Sequence, residues 1–192
     1  MFVDNNGVLR KPVAYLADFE MFLPEFPETI KNWHHTCDKY GLVGYFPGEA
    51  VSKEKDYSNN TQEMFKDICD TDIYGVVHCD FLIAQLDNWR GNQPDSGTAF
   101  ELGLAIALNK PVYGFYSGEK EMISRDSIAH NLIDNETYDE NGYGIENQKY
   151  PLDNLFRLVK LADSFEGACK VAREDFDKNL EENGYKKYKL IY

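Results

Sequence analysis

The sequence lacks several features that would assign a protein to a common functional class. It has no apolar run long enough to span a bilayer, and no glycine-rich motif of the kind that binds dinucleotides or ATP. Positive charge is scarce, since 20 Lys and Arg are outnumbered by 33 Asp and Glu for a net charge of −13. With so few cations, no basic stripe can neutralise a polyanion. We therefore expect neither nucleic acid nor a membrane as a partner.

Cysteine and histidine are present, but not in the patterns of a metal site. The four Cys are widely separated and form no CxxC pair, and the four His show no metal-ligand spacing. We therefore predict reduced, mostly buried thiols in a cytoplasmic protein, with no bound metal. The GxSxG motif of serine hydrolases is also missing.

Short apolar segments that alternate with helical periodicity predict an α/β fold. Buried strands are predicted at residues 13–17, 42–46, 81–86 and 112–116, with helices between them. This alternation is typical of a doubly wound, flavodoxin- or Rossmann-like parallel sheet with helices on both faces. Residues 1–192 are predicted to form a single domain, because no linker or internal repeat interrupts them.

The helices of this fold have recognisable ends. They are predicted at residues 30–41, 61–74 and 164–184. Ser164 is the predicted N-cap of the last helix and Gly184 its end. Residues 49–60 and 117–150 are polar and are predicted to be irregular, the second as a flap or a subunit contact. Residues 154–159 are predicted to begin a further helix.

The most informative stretch is residues 95–103, in which Asp95 and Glu101 flank a tight turn into a helix. It follows a buried strand, and ligands of open α/β sheets bind at the carboxyl ends of the strands. Two carboxyl groups there, one attacking and one protonating the leaving group, suit glycosyl chemistry with retention. The helix dipole would keep Glu101 ionised as a nucleophile, and neighbouring negative charge would keep a proton on Asp95.

Each of these carboxylates also has a purely structural interpretation. Thr98 and Glu101 have the spacing of a capping box, in which the two side chains bind N–H groups of the first helical turn. Asp95 suits an ordinary turn. Asp72 suits a solvated position near a helix end. Asp87 is favoured as a turn residue that terminates its strand.

Four segments of the sequence occur in an order that is typical of one enzyme family. They are Tyr15-Leu16-Ala17 with Phe22-Leu23-Pro24, Asp87-x-x-Arg90-Gly91, the stretch Pro94 to Gly103, and Lys110-Pro111-Val112. Together they resemble the nucleoside 2-deoxyribosyltransferases. The resemblance covers residues 13–112 and resumes weakly at residues 142–156. Residues 95–103 are its specific part.

The resemblance implies the doubly wound fold and an enzyme that works without a cofactor. Such an enzyme exchanges the nucleobase of a 2'-deoxyribonucleoside for a free purine or pyrimidine base, with retention at the anomeric carbon. By position, Glu101 matches the nucleophile that forms a deoxyribosyl ester, and Asp95 the acid that protonates the departing base. Asp72 matches a second aspartate that contacts the base, and Tyr15 a tyrosine that positions the nucleophile.

The loops near these residues are expected to bind the substrate. Phe19 and Trp89 could stack on a flat base, as could Tyr15. Asp18 and Phe19 stand where many relatives have Gly-Pro, so Asp18 would contact an amino group or a sugar hydroxyl. The other expected substrate contacts are Asp87, Gly97, Asn154 and Tyr192.

Two of these contacts concern assembly and closure of the site. Asn154 resembles an asparagine that binds the sugar in a neighbouring subunit's site, and Asp153 is a competing assignment. This implies a homo-oligomer with shared active sites. Tyr192 resembles a terminal tyrosine whose carboxylate closes the pocket.

Two other functions remain open on the same fold. One is a deoxynucleoside or deoxynucleotide N-glycosidase, which cleaves with water. Such relatives tend to carry a phosphate-binding serine at position 95, so Asp95 disfavours this alternative while Ser96 keeps it open. The other is a non-catalytic nucleoside-sensing domain, which the set of Tyr15, Asp72, Asp95 and Glu101 disfavours.

Overall fold

The computed structural model describes residues 1–20, 23–50, 61–87, 89, 94–116, 132–133, 136–138, 144–145 and 158–184. The strands are β1 (Phe2–Val3), β2 (Leu9–Arg10), β3 (Val13–Ala17), β4 (Val43–Tyr45), β5 (Phe81–Gln85), β6 (Val112–Phe115), β7 (Leu132–Ile133), β8 (Glu136–Tyr138), β9 (Gly144–Ile145) and β10 (Val159–Ala162). The helices are α1 (Phe26–Lys39), α2 (Pro47–Ala50), α3 (Thr61–His78), α4 (Ser96–Ala107) and α5 (Phe165–Asn183).

Five strands form one parallel sheet in the order β10–β6–β5–β3–β4. The chain first adds β4 to one side of β3, then crosses over and adds β5, β6 and β10 to the other side. This is the 2-1-3-4-5 order of flavodoxin-like proteins, and the predicted doubly wound α/β fold is confirmed. The reversal opens a crevice at the carboxyl ends of β3 and β5.

Helices cover both faces of the sheet. Strands buried on both sides are largely apolar. All five residues of β5 are buried, and the first four of them are apolar. Alternate residues of β3 enter two cores: Ala14 and Leu16 pack on the side of α1 and α5. Tyr15 and Ala17 pack on the side of α3 and α4. The pleat of β3 therefore aims Tyr15 at the helices that carry Asp72 and Glu101.

One strand of the sheet was not predicted. A helix was expected to begin within residues 154–159. This prediction is wrong at Val159, which begins β10, and β10 pairs in parallel with β6. Lys160 and Leu161 are exposed on this edge strand, so it lacks the continuous apolar run of the inner strands. Residues 154–157 lie outside the described part of the chain.

Other boundaries agree or differ by a few residues. The last helix begins and ends as predicted, with the Ser164 hydroxyl accepting from the Gly167 N–H at 3.1 Å. The helix at residue 61 extends to His78, one turn beyond its predicted end. Glu49, expected in a loop, lies in the short α2. Within residues 117–150 the described residues form a small antiparallel sheet of β7, β8 and β9.

Two further observations concern the described residues as a whole. None of their helices combines the length and the apolar character needed to cross a bilayer. All four cysteines are free of disulfides, and three of them are buried, as the spacing predicted; only Cys69 is exposed.

Candidate active site

The predicted site is built around one buried hydrogen bond. The Tyr15 hydroxyl donates to Oε1 of Glu101, with 2.5 Å between the oxygens. The Tyr15 side chain is fully buried, and Glu101 is 7% exposed. The bond holds the Glu101 carboxylate in one orientation. Its other oxygen, Oε2, receives no hydrogen bond from the described residues.

The surroundings of Glu101 disfavour its charged form. Burial raises the pKa of the Glu101 carboxyl to about 8. The Tyr15 hydrogen bond acts in the opposite direction, whereas negative charge on Asp72, Asp18 and Asp95 adds to the rise. The pKa of Tyr15 is raised as well, by burial and by the charge of Glu101, so the phenol keeps its proton and stays the donor. Glu101 is thus a desolvated carboxylate whose charge depends on pH near neutrality.

Asp95 begins the helix that carries Glu101. It is the N-cap of α4, and its Oδ2 accepts from the Thr98 N–H at 3.1 Å. The alternative interpretation of Thr98 and Glu101 as a capping box is therefore wrong. Because the Asp95 carboxylate supplies the cap, α4 starts at Ser96 and Glu101 lies beyond its first turn. The Thr98 hydroxyl is buried and, within the described chain, has no hydrogen-bond partner.

Asp72 reaches the same site from α3, which packs against α4. Its side chain is half-buried rather than solvated, and burial raises its pKa to about 6. The charge of Asp72 acts on both Tyr15 and Glu101. Three carboxylates therefore raise the pKa of Glu101: Asp72 on α3, Asp95 at the start of α4 and Asp18 in the loop after β3.

One glutamine connects the loops on either side of the crevice. Gln85, at the end of β5, donates from Nε2 to Glu20 Oε1 at 3.1 Å and to Asp87 Oδ2 at 3.0 Å. In the loop after β3, Asp18 is buried and its Oδ1 accepts from the Glu20 N–H at 2.6 Å. Asp18 and Asp87 thus lie on two linked loops at the carboxyl edge of the sheet.

The remaining predicted site residues have different placements. Phe19 and Trp89 stack on each other, with ring centroids 4.8 Å apart and planes at 23°, and so form one apolar wall. Gly97 is exposed, and a Cβ there would lie 2.9 Å from Asp95 Oδ2, so a side chain would crowd that carboxylate. Asn154 and Tyr192 lie outside the described residues.

Three residues around this site were not singled out from the sequence: Gln85, Tyr45 and Gly75. Gln85 is detectable in principle, as a polar residue at the end of an apolar strand. Gly75 directly follows the predicted helix end at Tyr74, so it was indistinguishable from a helix-terminating glycine. Tyr45 gives no signal, because an aromatic residue is ordinary in a strand.

The described residues also line a cavity of about 680 Å³ between α5 and the amino ends of the strands. Phe81, Val112 and Leu158 contribute to it. It lies at the opposite edge of the sheet from Glu101 and is separate from the candidate site. Within the described ranges, no group of three or more His, Cys, Asp or Glu is arranged to hold a metal ion.

Comparisons with known proteins agree with the fold and identify the family. The sequence model of the family described as nucleoside 2-deoxyribosyltransferase matches residues 14–155. A 2-deoxyribosyltransferase from Leishmania mexicana has 25% identity and a TM-score of 0.60, covering 90% of this chain and 99% of its own. A conserved protein from Enterococcus faecalis has 21% identity and a TM-score of 0.54, covering 88% and 99%.

More distant similarity extends to the CMP N-glycosidase BcmB of Clostridium botulinum, with 15% identity and a TM-score of 0.42, covering 88% of this chain and 99% of that chain. No curated protein sequence gives a significant match. The family match spans most of the chain and includes Tyr15, Asp72, Asp95 and Glu101. The protein is therefore an enzyme that belongs to the nucleoside 2-deoxyribosyltransferase family.

Proposed function

We propose that the protein transfers the 2-deoxyribosyl group between nucleobases of 2'-deoxyribonucleosides by a retaining double displacement. The observation that carries this proposal is the buried Glu101 carboxylate, which is oriented by the Tyr15 hydroxyl at 2.5 Å and surrounded by further carboxylates. A nucleophile at a sugar carbon needs a fixed orientation and a dry surrounding, and Glu101 has both.

In the first half-reaction, Glu101 Oε2 attacks the anomeric carbon while the bond from that carbon to the base nitrogen breaks. The bonding electrons leave with the base, and Asp95 donates a proton to it. This forms a deoxyribosyl ester on Glu101 and inverts the anomeric centre. Tyr15 keeps its hydrogen bond to Oε1 throughout and so orients the attacking oxygen.

In the second half-reaction, a new base nitrogen attacks the same carbon and the ester bond breaks. Asp95 takes the proton from the incoming base, and the second inversion gives overall retention. Asp72 contributes a carboxyl that exchanges its proton near pH 6 and can hydrogen-bond the base. Asp18, Asp87 and Gly97 are proposed to contact the substrate, and Phe19 with Trp89 to cover it.

The carboxylates also favour a neutral substrate. Asp18, Asp72 and Glu101 surround the reacting centre, and in their ionised forms they would repel a phosphate group. We therefore propose unphosphorylated deoxynucleosides as substrates. Hydrolysis would proceed through the same ester, with water in place of the second base.

One reaction separates these outcomes. The protein is incubated with thymidine and free adenine, and thymine and deoxyadenosine are measured by chromatography. Deoxyadenosine formation supports transfer. Thymine release without deoxyadenosine, for adenine and for other purine and pyrimidine acceptors alike, would show a hydrolase. Turnover of deoxynucleotides alone would overturn the proposed substrate class.

We further propose that the enzyme is a homo-oligomer with shared active sites, in which Asn154 reaches a neighbouring site and Tyr192 closes the pocket. The support comes from large apolar side chains exposed on the two helices that carry the carboxylates. They are Phe65, Ile73, Tyr74 and Val77 on α3 and Phe100 on α4. Such a face suits burial against a second copy. Light scattering of the Phe100→Glu variant tests this, and a wild-type monomer would contradict it.

We also infer a cytoplasmic role in nucleotide salvage. Three buried cysteines that form no disulfide bonds suit a reducing compartment. The proposed exchange would consume one deoxynucleoside and release a free base, which is salvage chemistry. Cell fractionation with an antibody to the protein tests the location.

A further inference from the structure

Gly75 occupies a position of α3 where no side chain fits. A Cβ there would lie 2.4 Å from Cε1 of Tyr45 and 2.6 Å and 2.8 Å from Cε2 and Cδ2 of Tyr15. Those atoms belong to rings and not to the ends of flexible chains, and Tyr15 is fully buried. Glycine inside a helix is destabilising relative to alanine. Its presence here is explained by the close approach of the α3 backbone to the two tyrosine rings.

The two rings that Gly75 contacts also contact each other. Tyr15 and Tyr45 are register partners on the adjacent parallel strands β3 and β4. Their ring centroids are 5.9 Å apart, with planes at 29°. The Tyr15 ring is thus held between the Tyr45 ring on one side and the α3 backbone on another.

The position of the Tyr15 ring decides the position of its hydroxyl. The hydroxyl is at the far end of the ring, so a small rotation near Cβ displaces it by a larger distance. The hydrogen bond to Glu101 is short, at 2.5 Å, and tolerates little displacement.

Loss of this hydrogen bond has a predictable electrostatic effect. The Tyr15 hydroxyl lowers the pKa of Glu101, against burial and the charges of Asp72, Asp18 and Asp95. Without the bond, the pKa of Glu101 would rise further and less of the carboxylate would be ionised near neutral pH.

We propose that Gly75 and Tyr45 are positioning residues, which clamp the Tyr15 ring so that its hydroxyl orients the Glu101 carboxylate for attack. The role in attack depends on the transfer reaction proposed above. The clamp itself is a property of the folded, substrate-free protein.

The direct test is Gly75→Ala, with Gly103→Ala as the matched control. Gly103 is also a helical glycine, two positions after Glu101, but a Cβ there meets nothing within 4 Å. We expect Gly75→Ala to lower kcat/KM by about 10- to 100-fold and to move the rising limb of the pH profile to higher pH. Gly103→Ala should stay within about threefold of wild type at every pH.

A double variant distinguishes positioning from general damage. In a Tyr15→Phe background there is no hydroxyl to orient, so adding Gly75→Ala should cost less than about threefold in kcat/KM. An undiminished loss in that background would overturn the proposal. So would equal behaviour of Gly75→Ala and Gly103→Ala.

A second position covers the case in which Gly75→Ala does not fold. Tyr45→Phe keeps the ring that supports Tyr15 and should retain most activity. Tyr45→Ala removes the ring and should lose activity about 10-fold, with the same alkaline shift. Equal activity of the two variants would overturn the role of Tyr45.

A measurement without substrate separates this proposal from the proposed reaction. Glu101 is labelled with ¹³C at the carboxyl and titrated by NMR, with Glu101→Gln identifying its signal. A higher midpoint in Gly75→Ala and Tyr15→Phe than in wild type and Gly103→Ala supports the clamp even if no transfer occurs. Identical midpoints in all four proteins would overturn it, whatever the reaction is.

Discussion

Two buried carboxylates lie at opposite edges of the sheet and have opposite surroundings. Asp80, at the amino edge, is 2% exposed. It binds Arg10 through two hydrogen bonds of 2.6 Å and 2.8 Å and the Val13 N–H at 2.7 Å. Glu101, at the carboxyl edge, is 7% exposed and accepts a hydrogen bond from the neutral Tyr15 hydroxyl. No described Lys or Arg forms an ion pair with it.

The difference separates a carboxylate that stabilises the fold from the carboxylate that we propose as the nucleophile. The Asp80 carboxylate pairs with Arg10 of β2 and so fixes the N-terminal hairpin of β1 and β2 onto the sheet. Both of its oxygens accept hydrogen bonds, so neither is available to react. A buried charge without a cation costs stability, and it is retained where its reactivity is used. The surroundings of Asp80 therefore suit a structural role, and those of Glu101 suit the proposed role in the reaction.

The largest expected effect is loss of transfer in Glu101→Gln. Without the nucleophile no ester can form, so kcat should fall by at least about 10⁴-fold. Because Gln keeps the shape and accepts the Tyr15 hydrogen bond, we expect no loss of melting temperature. Rates of base exchange and thermal unfolding are measured on the same preparation, and near-normal exchange would exclude Glu101 as nucleophile.

Removing the guanidinium that pairs with Asp80 should lower the stability of the protein and leave the rate of its reaction unchanged. Arg10→Met leaves Asp80 buried without its guanidinium, at a cost of about 3 kcal/mol in the free energy of unfolding. Activity per folded molecule should remain near wild type, because Arg10 lies at the far edge of the sheet. Urea titration and active-site-normalised rates check this. A selective loss of activity would contradict the division between the two edges.

Asp95→Asn isolates proton transfer from helix capping. Asn is as good an N-cap as Asp, so α4 should remain intact. The amide cannot protonate a departing base, and we expect kcat to fall by about 100-fold with a smaller change in KM. Asp95→Ala, measured beside it, should lose about 1 kcal/mol of stability in addition. Equal rates in Asp95→Asn and wild type would remove Asp95 from the acid role.

The smallest effect is a pH dependence of stability that Glu101 contributes. Its pKa is raised from 4.5 to about 8 in the folded protein, so the folded state binds this proton more tightly than the unfolded state. The contribution to stability is present below about pH 4.5 and is lost as pH rises to about 8. Glu101→Gln should therefore be more stable than wild type by about 1–3 kcal/mol at high pH and similar at low pH. Denaturant titrations at both extremes measure the difference, and a constant offset would contradict it.

The sequence predicted the inner strands and the edge strand β4, but not the edge strand β10. The central strands β3, β5 and β6 are buried apolar runs, and such runs are visible without knowledge of their partners. The edge strand β10 is stabilised by pairing with β6, which is distant in the chain, and half of it is exposed. Its sequence alone therefore did not distinguish a strand from a helix.

The candidate site was likewise predictable in part. Asp95 and Glu101 stand in one short motif, but the same motif suggested a capping box that does not form. The side chain that Glu101 actually binds is Tyr15, which the pleat of β3 brings to it. The contact of Gly75 with Tyr15 and Tyr45 depends on the distances between α3 and the strands β3 and β4. No sequence pattern predicts such distances.

The hydrogen bond between Tyr15 and Glu101 joins residues that are 86 positions apart in the chain. In the folded protein β5 pairs with β3, and α4 packs on both strands. Contacts of such long range are formed late in folding, whereas helices such as α1 and α5 can form locally. During refolding, the recovery of activity should therefore be slower than the recovery of the helical circular dichroism signal. The recovered activity would measure the fraction of molecules in which the sheet has formed completely.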